Sequence, residues 1–465
     1  MNKVKELIDN EIDLLKQEII NSTVELIKIK SVQDLAKENK PFGEGVGLAL
    51  DYCYNLSKKL GFEANNLDGY AVDGRYNVSN EDVSVIGHID VVPEGDNWIY
   101  PPYEGLIVDN KIYGRGSIDD KGPTIAALYG MYVVKKLHQE KKISLGRSLR
   151  FIFGGNEESG SKCLEYYFQH EKYPTIGFTP DADFPVIQGE KGLMIFQISM
   201  PISEDFVLIG GERPNMVPDK CFFKAIMDKN EIDNIIRQKQ LNEKVEVKEN
   251  GKFTEIITKG VSAHGSLPFK GINAISIMLD ILNSCSISPQ LKKFTEFYNT
   301  YIGYDVFGKG LGINFEDKKS GQLVFNVGMI EKKENQLILT VNIRYPIDTK
   351  SDEIISKIKK ITNKYYMEFT LLSDVPPLYV ERDHFLVSTL MNVYKLYTNN
   401  NQEPLVIGGG TYARSAKNVL AFGPNMPGDE EIAHQSNEYI SIDRLLLCAK
   451  IYGYAIYKLA LGQEL

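Results

Sequence analysis

The chain has 465 residues, 53 of them basic and 62 acidic, for a formal net charge of −9. That length exceeds one ordinary hydrophobic core and predicts two or more domains, and the acidic balance argues against a nucleic-acid partner, whose phosphates want a basic face. An ordinary globular composition of 43% hydrophobic and 25% charged residues, with no run of about 18 uncharged apolar residues to span a bilayer, leaves no membrane partner to expect. The first ten residues lack the apolar stretch of a secretion signal. Five cysteines (Cys53, Cys163, Cys221, Cys285, Cys448), scattered and without a Cys-x-x-Cys pair, predict reduced, mostly buried thiols in a cytoplasmic protein.

In chain order, apolar positions Val4, Leu7, Ile8, Ile12, Leu15, Ile19 and Ile20 predict a helix within residues 4–30, and a second covers 45–60. Val83–Ile86 reads as a buried strand ending at His88, and 106–113 as one strand ending at a Gly-Arg-Gly turn. A helix opens at Pro123, which suits a first turn, and runs over 123–138. A strand at 148–153, a helix at 161–170 and a strand at 175–179 follow, ending at Pro180-Asp181. This alternation predicts an α/β fold with a doubly wound mixed sheet.

After about Gly192 the texture changes to longer alternating strands (193–200, 222–227, 252–259, 323–330, 336–344) with helices at 271–284, 290–300 and 352–363. This is the pattern of an inserted α+β lid domain over 192–381. Helix 384–398, a strand at 419–422 and a helix at 441–461 close the chain, so the predicted catalytic domain is made of 1–191 and 382–465.

Imidazoles and carboxylates cluster where the predicted strands end, the place an α/β sheet puts its chemistry. Glu157-Glu158 follows one strand, His88-Ile-Asp90 another, and Asp119-Asp120 closes a third. A hydrolytic metal centre needs His and carboxylate ligands and one further carboxylate to take a proton from water; adjacent glutamates can divide those two tasks. Taken alone, His88 is more often a core histidine than a ligand. His138, His170 and His384 stand outside any motif and read as surface residues, and Arg115 reads as holding its own loop.

Nine strings stand in one order: Gly87–Pro93, Gly114–Pro123, Gly154–Gly160, Pro180–Pro185, Asn215–Pro218, Ser262–Gly265, Asn342–Pro346, Gly408–Arg414 and Ala433–Glu438. Together they resemble, nearly end to end, the co-catalytic dinuclear zinc metallopeptidases: carnosinases, aminoacylases, desuccinylases and, most similar, the PepV-type Xaa-His dipeptidases. The resemblance implies two divalent ions, zinc first, with manganese or cobalt also admitted by three carboxylates. It implies that His88 binds one ion and His434 the other, that Asp119 bridges them, and that Glu158 and Asp181 complete the two sites. It implies a cis peptide at Asp119-Asp120, Asp90 orienting His88 through its second ring N–H, and Glu157 as general base toward water and then the leaving amine. His264 would donate to the oxyanion, Asn215 would contact substrate, and Arg344 would clamp its terminal carboxylate. Gly409 and Gly410 would admit substrate close to the backbone, and Arg414 would help hold the carboxylate. The implied activity is hydrolysis of small unblocked dipeptides by a monomer whose enlarged lid serves its own site, a weak dimer being the other expectation. An N-acyl amino acid or diaminopimelate deacylase, a phosphoesterase and a catalytically silent peptide-binding protein are the other readings. The intact Glu157 disfavours the last.

Overall fold

The computed structural model describes residues 2–462. It divides into two compact units: residues 1–188, 380–405 and 410–465, and residues 189–379 with 406–409. The chain thus changes units inside the triple glycine, and the short stretch Val406–Gly409, placed with the chain ends by sequence, groups with the inserted unit.

In the first unit the sheet order is 63–67, 71–76, 148–154, 82–88, 176–179, 419–421, then 187–190. The middle four strands are parallel, and both flanks are antiparallel. The middle strands read as nearly continuous buried runs, as parallel strands covered on both faces must. From 82–88 the chain crosses through helix Lys121–Gln139 to strand 148–154 on one side, then through helix Lys162–His170 to strand 176–179 on the other. Strand 82–88 therefore marks a topological switch point, and a crevice opens beyond its carboxyl end. Helix Ile442–Ala460 packs along helix 121–139, their backbones close together where Gly130 faces Gly453.

The second unit holds an eight-stranded antiparallel sheet in the order 245–250, 253–259, 220–225, 207–210, 324–333, 336–345, 192–201, 368–375. Two groups of four strands meet only at Ile209↔Glu331 and Gly210↔Ile330. Helices Ala274–Ser284 and Pro289–Tyr301 supply Ile275, Met278, Leu282, Phe294 and Phe297 to one core with Met194, Phe196 and Leu339.

Three expectations change. Residues 106–113 form a hairpin, not one strand: Asp109 and Asn110 take φ of 47° and 62°, a two-residue turn of the primed kind between 106–108 and 111–113. The first predicted helix is two, Asn2–Leu14 and Lys16–Ile27, divided at Leu15. The helix expected from residue 271 begins at Ala274, where the Asn273 side chain accepts the N–H groups of Ile275 and Ser276.

Candidate metal centre

Strand register gathers the site. His88 pairs with Gly154, and Val85 with Phe178, so His88, the Glu157-Glu158 loop and Asp181 leave neighbouring parallel strands at the same edge of the sheet. Asp119 arrives just before helix 121–139, whose N-cap is Asp120, and the Asp119-Asp120 peptide is cis, as the resemblance implies. His434 comes from a loop, half-exposed and in the left-handed region at φ 64°.

These side chains contact one another directly. His88 Nε2 lies 3.0 Å from Asp119 Oδ1 and 3.7 Å from Asp181 Oδ2. His434 Nε2 lies 3.0 Å from Asp119 Oδ2 and 2.9 Å from Glu158 Oε1. Ligand atoms of His88, Asp119 and Glu158, and of His88, Glu157 and Asp181, each lie within 4.8 Å of one another. A set of imidazole and carboxylate donors that dense, at the carboxyl edge of a sheet, fits divalent ions.

The electrostatics follow from packing several carboxylates against two imidazoles. Burial opposes charge on His88, yet hydrogen bonds with Asp119 and Asp90 hold it well above its ordinary value. His434 is likewise raised to about 11 against burial, by Asp119 and Glu158. Asp119, between both rings, is held below the usual carboxylate range although burial opposes this. Burial, aided by neighbouring carboxylates, pushes Asp181 up to about 7 and Glu157 well above the usual range, and burial with Asp119 raises Glu158.

Asp90 meets His88 through its main chain, where its carboxylate was expected, and takes a second task with that carboxylate. His88 Nδ1 donates at 3.0 Å to the backbone carbonyl of Asp90, with the Asp90 carboxylate farther away at 3.5 Å. That carboxylate accepts the backbone N–H of Glu157 at 2.9 Å and of Glu158 at 3.1 Å. One residue therefore fixes the orientation of the His88 ring, turning Nε2 toward the other candidate ligands, and also aims the glutamate pair.

Supporting residues without a role in the sequence reading complete the site. Asp120 accepts the His88 N–H at 3.2 Å and the Thr124 hydroxyl at 2.8 Å. Tyr412, within the Gly-Gly-Gly-Thr-Tyr string, sets its ring edge-on to His88 at 6.0 Å and bonds Cys163 Sγ at 3.0 Å. Glu438 meets Arg115 at 2.6 Å in a fully buried pair. Arg115 thus holds more than its own loop, and the signal was available: arginine is scarce in this chain, and Glu438 closes the same string as His434. His384 is exposed, as expected, and also caps helix Phe385–Thr398 by accepting the Leu386 N–H.

The remaining expected residues divide between the units. Gly410 and Arg414 lie in the first, where a Cβ on Gly410 would stand 3.1 Å from Arg414 Nε. Asn215, His264, Arg344 and Gly409 belong to the second. There Met216 bridges to His264, the Gly265 N–H donates to the Asn215 carbonyl at 2.7 Å, and Asn326 Nδ2 donates to the carbonyls of Pro214 and Met216. His264 Nδ1 stands 2.6 Å from the Ser266 hydroxyl. Arg344 is buried, its Nε donating to Asn342 Oδ1 at 3.2 Å. A Cβ on Gly408 would touch both Ser266 and the Arg344 side chain, so this unit gathers its own polar cluster.

A two-unit α/β protein with His and carboxylate groups converging at a sheet switch point has the architecture of a metal-dependent hydrolase. The sequence pattern of Peptidase family M20/M25/M40 matches residues 85–458, and the chain belongs to that family. It is 39% identical over 464 residues to "Putative dipeptidase YtjP" of Bacillus subtilis (strain 168), covering 96% of this chain and 98% of that one. Its fold is similar to that of the di-peptidase Dug1p from Saccharomyces cerevisiae, with a TM-score of 0.60 at 16% identity over all of both chains. It is also similar to that of human carnosine dipeptidase 1, with a TM-score of 0.59 at 14% identity over 98% of this chain and 99% of that one. The protein is a hydrolase acting on peptide bonds. Among the described residues no helix is long and apolar enough to cross a membrane.

Proposed function

We propose that the chain is a cytoplasmic, metal-dependent dipeptidase of the PepV type that hydrolyses small unblocked dipeptides with the aid of two divalent ions. The observation that carries this reading is the meeting of His88, Asp119, Glu157, Glu158, Asp181 and His434 at one sheet edge. In this reading His88, Asp181 and Asp119 would hold one ion, and His434, Glu158 and Asp119 the other, which the shortest contacts support. When bound, such ions act as Lewis acids that make water a nucleophile near neutral pH and polarise the scissile carbonyl; zinc suits the donor set, and manganese or cobalt fit it too.

The protein's own groups do the rest. Glu157, aimed by Asp90, takes the proton of the attacking water and returns it to the leaving amine. His264 donates to the developing oxyanion, Asn215 contacts substrate, and the planar fork of Arg344 matches a terminal carboxylate. Gly409 and Gly410 leave room for the substrate backbone, and Arg414 assists at the carboxylate. The name of the B. subtilis relative supports the dipeptidase reading.

The test is hydrolysis of free, N-acetylated and C-amidated dipeptides by chelator-stripped protein, before and after adding Zn²⁺, Mn²⁺ or Co²⁺ singly. Activity on free dipeptides that returns with metal is the expected result. Activity confined to the N-acetylated forms would replace the dipeptidase with a deacylase.

A further inference from the structure

Two charges are sealed beside the candidate metal centre without a part in the proposed chemistry. Arg115 and Glu438 form an ion pair with side chains 2% and 0% exposed. Such pairs are poor sources of stability, since apolar replacements of equal volume are often neutral or better. What distinguishes this pair is where its remaining hydrogen-bonding capacity goes. Glu438, on the His434 loop, accepts the backbone N–H of Ile118 at 3.0 Å and of Asp119 at 3.3 Å. Arg115, on the Asp119 loop, donates to the backbone carbonyls of His434 and Gln435, each at 3.2 Å. The grip is reciprocal: each loop sends a charged side chain to hold the main chain of the other. The guanidinium also reaches the Glu94 carbonyl at 3.2 Å, just beyond Asp90, and stacks on Trp98 with its carbon 5.3 Å from the ring centre.

We propose that the Arg115–Glu438 pair is a positioning element that sets His434 against Asp119 so that the two can share one ion. The inference rests on the metal reading above. His434 needs such a device more than His88 does. His88 ends a central strand locked on both sides, whereas His434 sits half-exposed on a loop in the left-handed region. Nothing in a helix or sheet ladder fixes its backbone, so the Arg115 fork does. Lysine, a single ammonium on a flexible stem, could keep the charge pairing but could not hold Glu438 and two carbonyls at once.

The experiment uses the full-length, chelator-stripped protein and measures the affinity of each Zn²⁺ equivalent by competition with a chromophoric chelator. It also records thermal unfolding of the metal-free form. His434→Ala identifies the equivalent that depends on His434. Arg115→Lys is expected to weaken that same equivalent by about 10–100-fold, as loss of an outer-shell support does, and to leave the other unchanged. Should Arg115→Lys fail to fold, Glu438→Gln, which keeps the side-chain shape, is measured in the same way and must again weaken the His434-dependent equivalent. Unchanged affinities in a folded variant overturn the inference, as does a lowered unfolding temperature with both affinities intact, since that is a purely structural role. Wild-type protein that binds no ion would overturn the metal reading itself, an outcome plainly separable from the others.

Discussion

Glu157 and Glu158 are chemically identical neighbours given different work by what surrounds them. Asp90 holds both backbones, but Glu158 faces the His434 ring while Glu157 shares a cluster with His88 and Asp181. Glu157→Gln keeps the shape and removes the basicity. It is expected to retain both ions, counted by elemental analysis, while kcat falls about 10²–10⁴-fold; turnover near wild type would end the assignment of Glu157 as base. Proton bookkeeping gives a second prediction at this scale. In the metal-free protein His434 is raised from 6.5 to about 11 and Asp181 from 3.8 to about 7. In both cases the folded state holds a proton that the unfolded chain has released, so metal-free stability falls as pH rises through those two windows. His88 is likewise held protonated, and ligands must shed such protons to bind metal, so affinity rises with pH and binding at pH 7 releases about two to three protons. Calorimetry in buffers of different ionisation enthalpy reads that number directly. Zero release would mean that these groups do not ligate.

At the scale of elements, what the sequence declared and what it hid have physical causes. The gathering of the candidate ligands was legible because His88, Glu157, Glu158 and Asp181 follow buried strands whose apolar runs are plain. The second task of Asp90 was not, because a backbone N–H carries no sequence signature and its direction depends on the loop that follows strand 148–154. Strands Glu63–Leu67 and Ala71–Tyr76 escaped because one is exposed and polar and the other carries Asp73 and Gly74. Helix Lys229–Gln238 escaped although Ile232, Ile235 and Ile236 have helical spacing and Asp228 caps it. Gly87 shows how elements press upon the site. A Cβ there would fall 2.0 Å from Thr124 Oγ1, in the first turn of helix 121–139, and 3.2 Å from Asp120 Oδ2. Gly87→Ala must push that turn away from the His88 backbone, which Asp120 now holds. The expected cost is about 1–3 kcal/mol, as overpacking commonly exacts, measured by equilibrium unfolding of the metal-free protein, together with weakened metal binding. An alanine variant of unchanged stability and affinity would show that the close approach is dispensable.

At the scale of the whole molecule, the insertion has a property that makes its role testable. The chain enters the second unit at Gly189 and leaves it at Tyr379, and these residues are direct partners in an antiparallel pair, so their Cα atoms stand about 5 Å apart. A short glycine-containing turn can therefore join residue 188 to residue 380. The first unit keeps its sheet from strand 63–67 through strand 419–421, losing Gly189 and Glu190 from strand 187–190, keeps its helices and every proposed ligand, and is expected to fold and bind two ions. It loses Asn215, His264 and Arg344, and is expected to hydrolyse no dipeptide. In the full chain, Arg344→Ala alone should lower kcat/KM on free dipeptides far more than on their C-terminal amides; equal losses would mean that Arg344 does not read the carboxylate. Mixing decides whether His264 serves its own chain. The shortened protein has an intact Glu157, and full-length Glu157→Gln has an intact His264, so if each chain supplies its own histidine the mixture stays inactive and sedimentation gives the mass of one chain. Activity regained on mixing would mean that His264 acts across a dimer, and the large insertion would then need an explanation other than self-sufficiency.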